Sequence, residues 1–327
     1  MNGEILVNNQ GSVVGPGQGS LGQGNAAGSI PGFSCRTLMR MSFIAVAAGV
    51  ALGSVFAPGG FAENSPEKGK LREIIERHDR LVQLSDPNCQ KPPLLLIHGA
   101  TDDPTEMMAI AREWKNDYNV FLYSYNYHKT VEKVAADFVN ELKRLKANGL
   151  AGDATVIAFS YGAIVFREAV ILSPDSSLFA GDRLIQLAPT AGGSFFARGM
   201  ENRLAAFVIS MASKPAAAAN PYGAFAKQAW EGEGNEKFYS VIDSKRMQTI
   251  LVEGDPNSVS RIKDEKIQRR YKNGIGENVM VVPKPTGVTH EYFPVEPAGL
   301  EYLRKVMDSP NFRANGEPSP PAKYVAR

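Results

Sequence analysis

Ser160 stands where a short apolar run gives way to a second apolar stretch of helical spacing, in Ala154-Thr-Val-Ile-Ala-Phe-Ser160-Tyr-Gly-Ala-Ile-Val-Phe-Arg-Glu-Ala169. A serine on a sharp strand-to-helix turn presents its hydroxyl to an acyl carbon, provided that the residues two positions away on each side are small. Ala158 and Gly162 occupy those positions. The plainer alternative is a serine that caps the helix starting at Tyr161. A serine nucleophile needs a general base, and that base needs an acid to orient it, in the chain order serine, acid, histidine. Of the four histidines, His78, His98 and His128 precede Ser160, so His290 is the base by elimination. Asp255 is the acid preferred here, because it follows the apolar run Thr249-Ile-Leu-Val252, with Glu253 and Asp243 as the fallbacks. Acyl transfer also calls for backbone N–H donors around the developing oxyanion. Tyr161, next after the serine, supplies one. Ala100 supplies the other, at the end of Leu94-Leu-Leu-Ile-His98-Gly99-Ala100-Thr101.

Short, nearly continuous apolar runs at 94–97, 120–125, 155–159, 184–187, 249–252 and 279–282 read as strands buried on both faces. Between and after them, 105–115, 131–146, 161–172 and 297–307 carry apolar residues at spacings of three and four, which predicts covering helices. The alternation defines an α/β fold, a mostly parallel central sheet of about six strands with helices on both faces. Leu71, Ile74, Ile75, His78 and Val82 predict one more amphipathic helix over 68–84. The insertion at 193–246 breaks the rhythm with an Ala-rich, Phe-bearing stretch and reads as a helical cap over the pocket.

With these motifs in place, the segment from 93 to 307 resembles the α/β-hydrolase superfamily, and particularly its compact bacterial lipases and esterases, which also use an elbow opened by Ala. Gln186-Leu-Ala-Pro189-Thr-Ala-Gly192-Gly193-Ser194 is similar to the family's Pro-His-Gly-Gly-Ser segment, with Thr190 and Ala191 replacing the histidine region. The resemblance implies hydrolysis of carboxylic esters through a Ser-His-Asp triad and an acyl-enzyme, with no cofactor. It also puts Asn257 where many members carry the triad aspartate, three residues after the glycine. Two rivals stay open: an acyltransferase on the same fold, and a binding protein that keeps the fold without catalysis.

The composition, 43% hydrophobic and 21% charged over 327 residues, suits one globular catalytic domain, assigned to 63–309. Thirty-six Lys and Arg against 34 Asp and Glu leave a net charge of +2 with no basic run, which argues against a nucleic acid partner. Two cysteines, Cys35 and Cys89, provide neither a disulfide framework nor metal-ligand spacing. Residues 1–34 are rich in Gly, Asn, Gln and Ser and read as a disordered leader, with Met39 or Met41 as an alternative start. Arg36 and Arg40, the apolar run at 42–57 and the small residues around Ala57 and Ala62 read as a signal peptide over 35–62, or as an uncleaved N-terminal anchor. Either way the expectation is an exported protein, periplasmic or secreted, that takes a small-molecule or lipid ester. Its cap or its N-terminal segment is the surface expected to meet a lipid interface. The Pro-rich stretch at 310–327 has no periodicity and reads as an irregular tail.

Overall fold

The computed structural model describes residues 79–100, 104–126, 128–150, 153–190, 207, 214–218, 220, 223–255, 264–290 and 293–309. The predicted leader and signal segment, most of the predicted 68–84 helix, the first part of the insertion and the predicted tail therefore lie outside the described residues.

Seven strands form one sheet in the order β1-β3-β2-β4-β5-β6-β7, one more than the pattern predicts. They are β1 (Arg80–Gln83), β2 (Pro93–Ile97), β3 (Asn119–Ser124), β4 (Thr155–Phe159), β5 (Arg183–Leu187), β6 (Met247–Val252) and β7 (Val279–Val282). All neighbours run parallel except β1, which pairs antiparallel with β3. β1 corrects the predicted helix at its C-terminal end. Leu81 and Val82 are adjacent yet enter opposite core clusters, which is the two-residue period of a strand. Their spacing from the upstream apolar residues also fits a helix, and the open hydrogen-bonding edge of β3 decides between the two.

β2 is buried along its whole length, with Leu95 and Ile97 in the core on one face of the sheet and Leu94 and Leu96 in the core on the other. Each such leucine contributes roughly 1.5–3 kcal/mol by leaving water, which is why these runs need no polar face. Helices α1 (Met108–Trp114) and α8 (Pro297–Met307) bring their buried residues to the second cluster. Helices α2 (Val131–Ala147) and α3 (Tyr161–Leu172) serve the first. Thr130 caps α2 by accepting the Lys133 N–H, and Val131, Val134, Ala135, Phe138, Val139 and Leu142 form its buried stripe.

Of the insertion, α4 (Lys214–Ala218), α5 (Ala224–Trp230) and α6 (Gly232–Val241) are described. α5 and α6 lie against α3, and Arg167 links the three. Its guanidinium stacks 4.2 Å from the Trp230 ring centre and 4.1 Å from that of Phe238. Its Nε donates to the Ala229 carbonyl at 2.7 Å and an η nitrogen donates to Asn235 Oδ1 at 2.5 Å. This arrangement buries α3 from Tyr161 to Ile171.

Helix α7 (Glu265–Ile275) has no counterpart among the predicted elements. Its signals were present but narrow. Asp264 accepts the N–H groups of Lys266 and Ile267, Ile267 and Tyr271 are the buried residues of its apolar stripe, and Gly276 ends it at φ +68°.

Candidate active site

Ser160 separates the last residue of β4 from the first of α3 and sits at φ 50°, ψ −115°. This conformation is strained for any residue with a Cβ and costs on the order of 1–3 kcal/mol, so the surroundings must impose it. They hold both ends of the residue. Its N–H donates to Leu187 O at 2.9 Å, extending the β4–β5 ladder, and its carbonyl accepts from Ala163 N–H at 3.2 Å and from Thr190 Oγ1 at 3.4 Å. Gly162 permits the close approach of α3 to β2, because a Cβ there would lie 2.5 Å from His98 O and 2.6 Å from Ile97 O. The small residue on that side of the serine is thus required by backbone contact.

Because β4 to β7 are parallel, the loops that follow them leave the same end of the sheet. The register pairs Val252 with Val282, so the loops carrying Asp255 and His290 start side by side. Gly254, at φ +76°, turns the chain directly after β6 and delivers Asp255. Ser160 Oγ lies 2.8 Å from His290 Nε2, and His290 Nδ1 lies 2.7 Å from Asp255 Oδ2. In the tautomer that this row selects, Nδ1–H donates to the carboxylate and Nε2 accepts the serine proton. Ser160, His290 and Asp255 are 2%, 5% and 8% exposed, so water does not compete for these bonds. The Phe159 ring, 5.5 Å from the His290 ring, closes one side.

The other candidates lie elsewhere. His98 is buried at the end of β2 against Tyr125, and His128 is exposed. His78 and Asn257 fall outside the described residues. Asp243 caps a short 3-10 turn ahead of β6, accepting the Lys245 N–H at 2.9 Å, and Glu253 accepts the Lys284 N–H at 2.9 Å. Of the weighed acids, Asp255 is the one hydrogen-bonded to His290. Tyr161 is the first residue of α3, where N–H groups have no acceptor within the helix and form the positive end of its dipole. Ala100 follows Gly99, whose N–H donates to Glu106 Oε1 at 2.6 Å. Glu106 and Tyr125 receive no role from the sequence pattern, since nothing in their spacing relates them to Ser160.

No family model matches the sequence, and no curated protein does. Among solved structures, Aspergillus fumigatus lipase B is similar at 16% identity and a TM-score of 0.50, over 74% of this chain and 57% of that one. The mature form of the Bacillus licheniformis lipase BlEst2 aligns at 12% identity and a TM-score of 0.47, over 71% of this chain and 99% of that one. A hydrolase from Oleispira antarctica aligns at 12% identity and a TM-score of 0.43, over 73% and 98%. At such identities the likeness to lipase B bears on architecture alone. The chain has the α/β-hydrolase fold.

Proposed function

We propose that this α/β-hydrolase-fold protein is a serine hydrolase that cleaves carboxylic esters, with Ser160 as nucleophile, His290 as general base and Asp255 as its orienting acid. The observation that carries the reading is the continuous Ser160–His290–Asp255 hydrogen-bonded row, anchored on a serine held at positive φ. Strain of that kind persists where a side chain must be presented to a ligand, and a serine that only capped a helix would not require it. In the proposed reaction Ser160 Oγ adds to the ester carbonyl as His290 Nε2 takes its proton. The N–H groups of Ala100 and Tyr161 hold the oxyanion. His290 then protonates the departing alcohol, leaving an acyl-serine, and water deprotonated by the same nitrogen releases the acid. Asp255 keeps Nδ1 protonated and stabilises the imidazolium throughout.

The sequence order of basic residues, apolar run and small residues supports export to the periplasm or beyond, with lipid contact through the N-terminal segment or the insertion. The reading is tested with a fluorophosphonate probe and a short-chain p-nitrophenyl ester. Wild-type protein is expected to hydrolyse the ester and to carry the label on the peptide that contains Ser160, and Ser160→Ala to do neither. Unchanged hydrolysis by Ser160→Ala overturns the assignment.

A further inference from the structure

The loop that carries Ala100 is gripped from two sides by residues outside the Ser160–His290–Asp255 row. Tyr125 follows β3 and is fully buried, with its hydroxyl 2.7 Å from both the His98 and the Gly99 carbonyl oxygens, between which it shares its proton. Its ring stacks on the His98 imidazole, with centroids 4.0 Å apart and planes 13° from parallel, and its N–H donates to His98 Nε2 at 3.4 Å. On the opposite side, Glu106 in the 3-10 turn Pro104–Met107 accepts the Gly99 N–H at 2.6 Å.

These contacts fix a direction. In a trans peptide the carbonyl and the N–H of one plane point opposite ways, and no cis bond occurs among the described residues. Two successive carbonyls aimed at one hydroxyl therefore send the two following N–H groups, those of Gly99 and Ala100, to the other side. An extended strand would alternate them. Successive N–H groups on one side form a concavity suited to an anion. Glu106 occupies the first of the pair. Gly99 also lies beside the reacting groups: a Cβ on it would lie 3.1 Å from Glu106 Oε1 and 3.2 Å from the Phe159 ring, and that ring is 5.5 Å from the His290 ring.

We propose that Tyr125 and Glu106 are positioning residues that clamp the Gly99–Ala100 peptide so that the Ala100 N–H is preset for the oxyanion formed at Ser160. The proposal rests on the ester-hydrolase reading and adds two residues to it. A preset donor acts on charge that develops only in the transition state, so losing the clamp lowers kcat with little effect on KM.

The test compares Tyr125→Phe, Glu106→Ala and Glu106→Gln with wild type for kcat, KM and inhibition by a trifluoromethyl ketone, which forms an oxyanion when the serine adds to it. Tyr125→Phe is expected to lose about 10- to 100-fold in kcat with KM changed by less than about threefold, and to bind the ketone more weakly by the same factor as kcat/KM. Glu106→Gln, which keeps an acceptor for the Gly99 N–H, is expected to retain more kcat than Glu106→Ala. Should Tyr125→Phe fail to fold, the Glu106 pair and its ketone affinities carry the comparison. An active wild type alongside a Tyr125→Phe, or a Glu106→Ala if the former does not fold, that keeps kcat within about twofold overturns the clamp alone. A wild type with no turnover and no fluorophosphonate label overturns the hydrolase reading and the clamp with it.

Discussion

Replacing Asp255 by Asn removes one negative charge while conserving shape, and its effect follows from the burial of the pair. The carboxylate oxygen lies 2.7 Å from His290 Nδ1, and the two side chains are 5% and 7% exposed, so water cannot stand in for the lost charge. In the proposed reaction His290 becomes a cation when it takes the Ser160 proton, about 4 Å, charge centre to charge centre, from Asp255. At an effective dielectric near 20 that attraction is about 4 kcal/mol, or roughly three powers of ten in rate. The amide adds a second loss. Its NH2 can face Nδ1, which moves the imidazole proton to Nε2 and disables the base, and the combined loss reaches about 10⁴ in kcat. The assay is kcat on a p-nitrophenyl ester for wild type, Asp255→Asn and Asn257→Ala, with circular dichroism to confirm that each is folded. An Asp255→Asn protein within about tenfold of wild type refutes the reasoning. So does loss of activity confined to Asn257→Ala, because the group that orients His290 would then be the Asn257 amide, two residues further on.

Two further outcomes follow from the same structure. Gly162→Ala puts a methyl 2.5 Å and 2.6 Å from two backbone oxygens that have no side-chain freedom to yield, so α3 must move away from β2. The expected result is a destabilisation of about 1–3 kcal/mol in denaturant titration together with a lower kcat, and a variant with wild-type stability and turnover would contradict that contact. Glu168, buried in α3 with both carboxylate oxygens unpartnered, is held protonated up to about 7 by burial and secondarily by the charge of Glu132, although Arg167 opposes this. Below its ordinary value of 4.5 folded and unfolded chains are both protonated and the native state is at full strength; between there and 7 only the folded chain keeps the proton. Stability therefore falls as pH rises through that window, by roughly 3 kcal/mol in all. Glu168→Gln is expected to flatten the decline of Tm with pH and to be the more stable protein at pH 8. Parallel Tm curves for the two proteins would rule this out.

Much of the frame is legible in the residues because its elements are buried on both faces. Strands such as Leu94–Ile97 carry no competing polar pattern, and helices at 131–147, 161–172 and 297–307 show an uninterrupted period. Legibility fails where an element depends on a neighbour. β1 exists because β3 offers it an edge, and its Leu81–Val82 pair suits either period. α7 is mostly polar, and it is held by a cap at Asp264, a narrow apolar stripe and the Arg270–Glu231 pair at 2.8 Å.

For the site, Ser160 and His290 follow from type and order alone: a small-flanked serine between strand and helix, and one histidine downstream of it. The pairing of Asp255 with His290 does not. Asp243, Glu253, Asp255 and Asn257 are near-equivalent along the chain, and the choice depends on the β6–β7 register and on the turn at Gly254, which carry one carboxylate to within 2.7 Å of the imidazole. The same holds for Tyr125 and Glu106. Local sequence sets which residues are chemically able to act and which runs are apolar enough to be buried. Directions of peptide planes and distances between loops arise from strand pairing across the sheet, which no local pattern records.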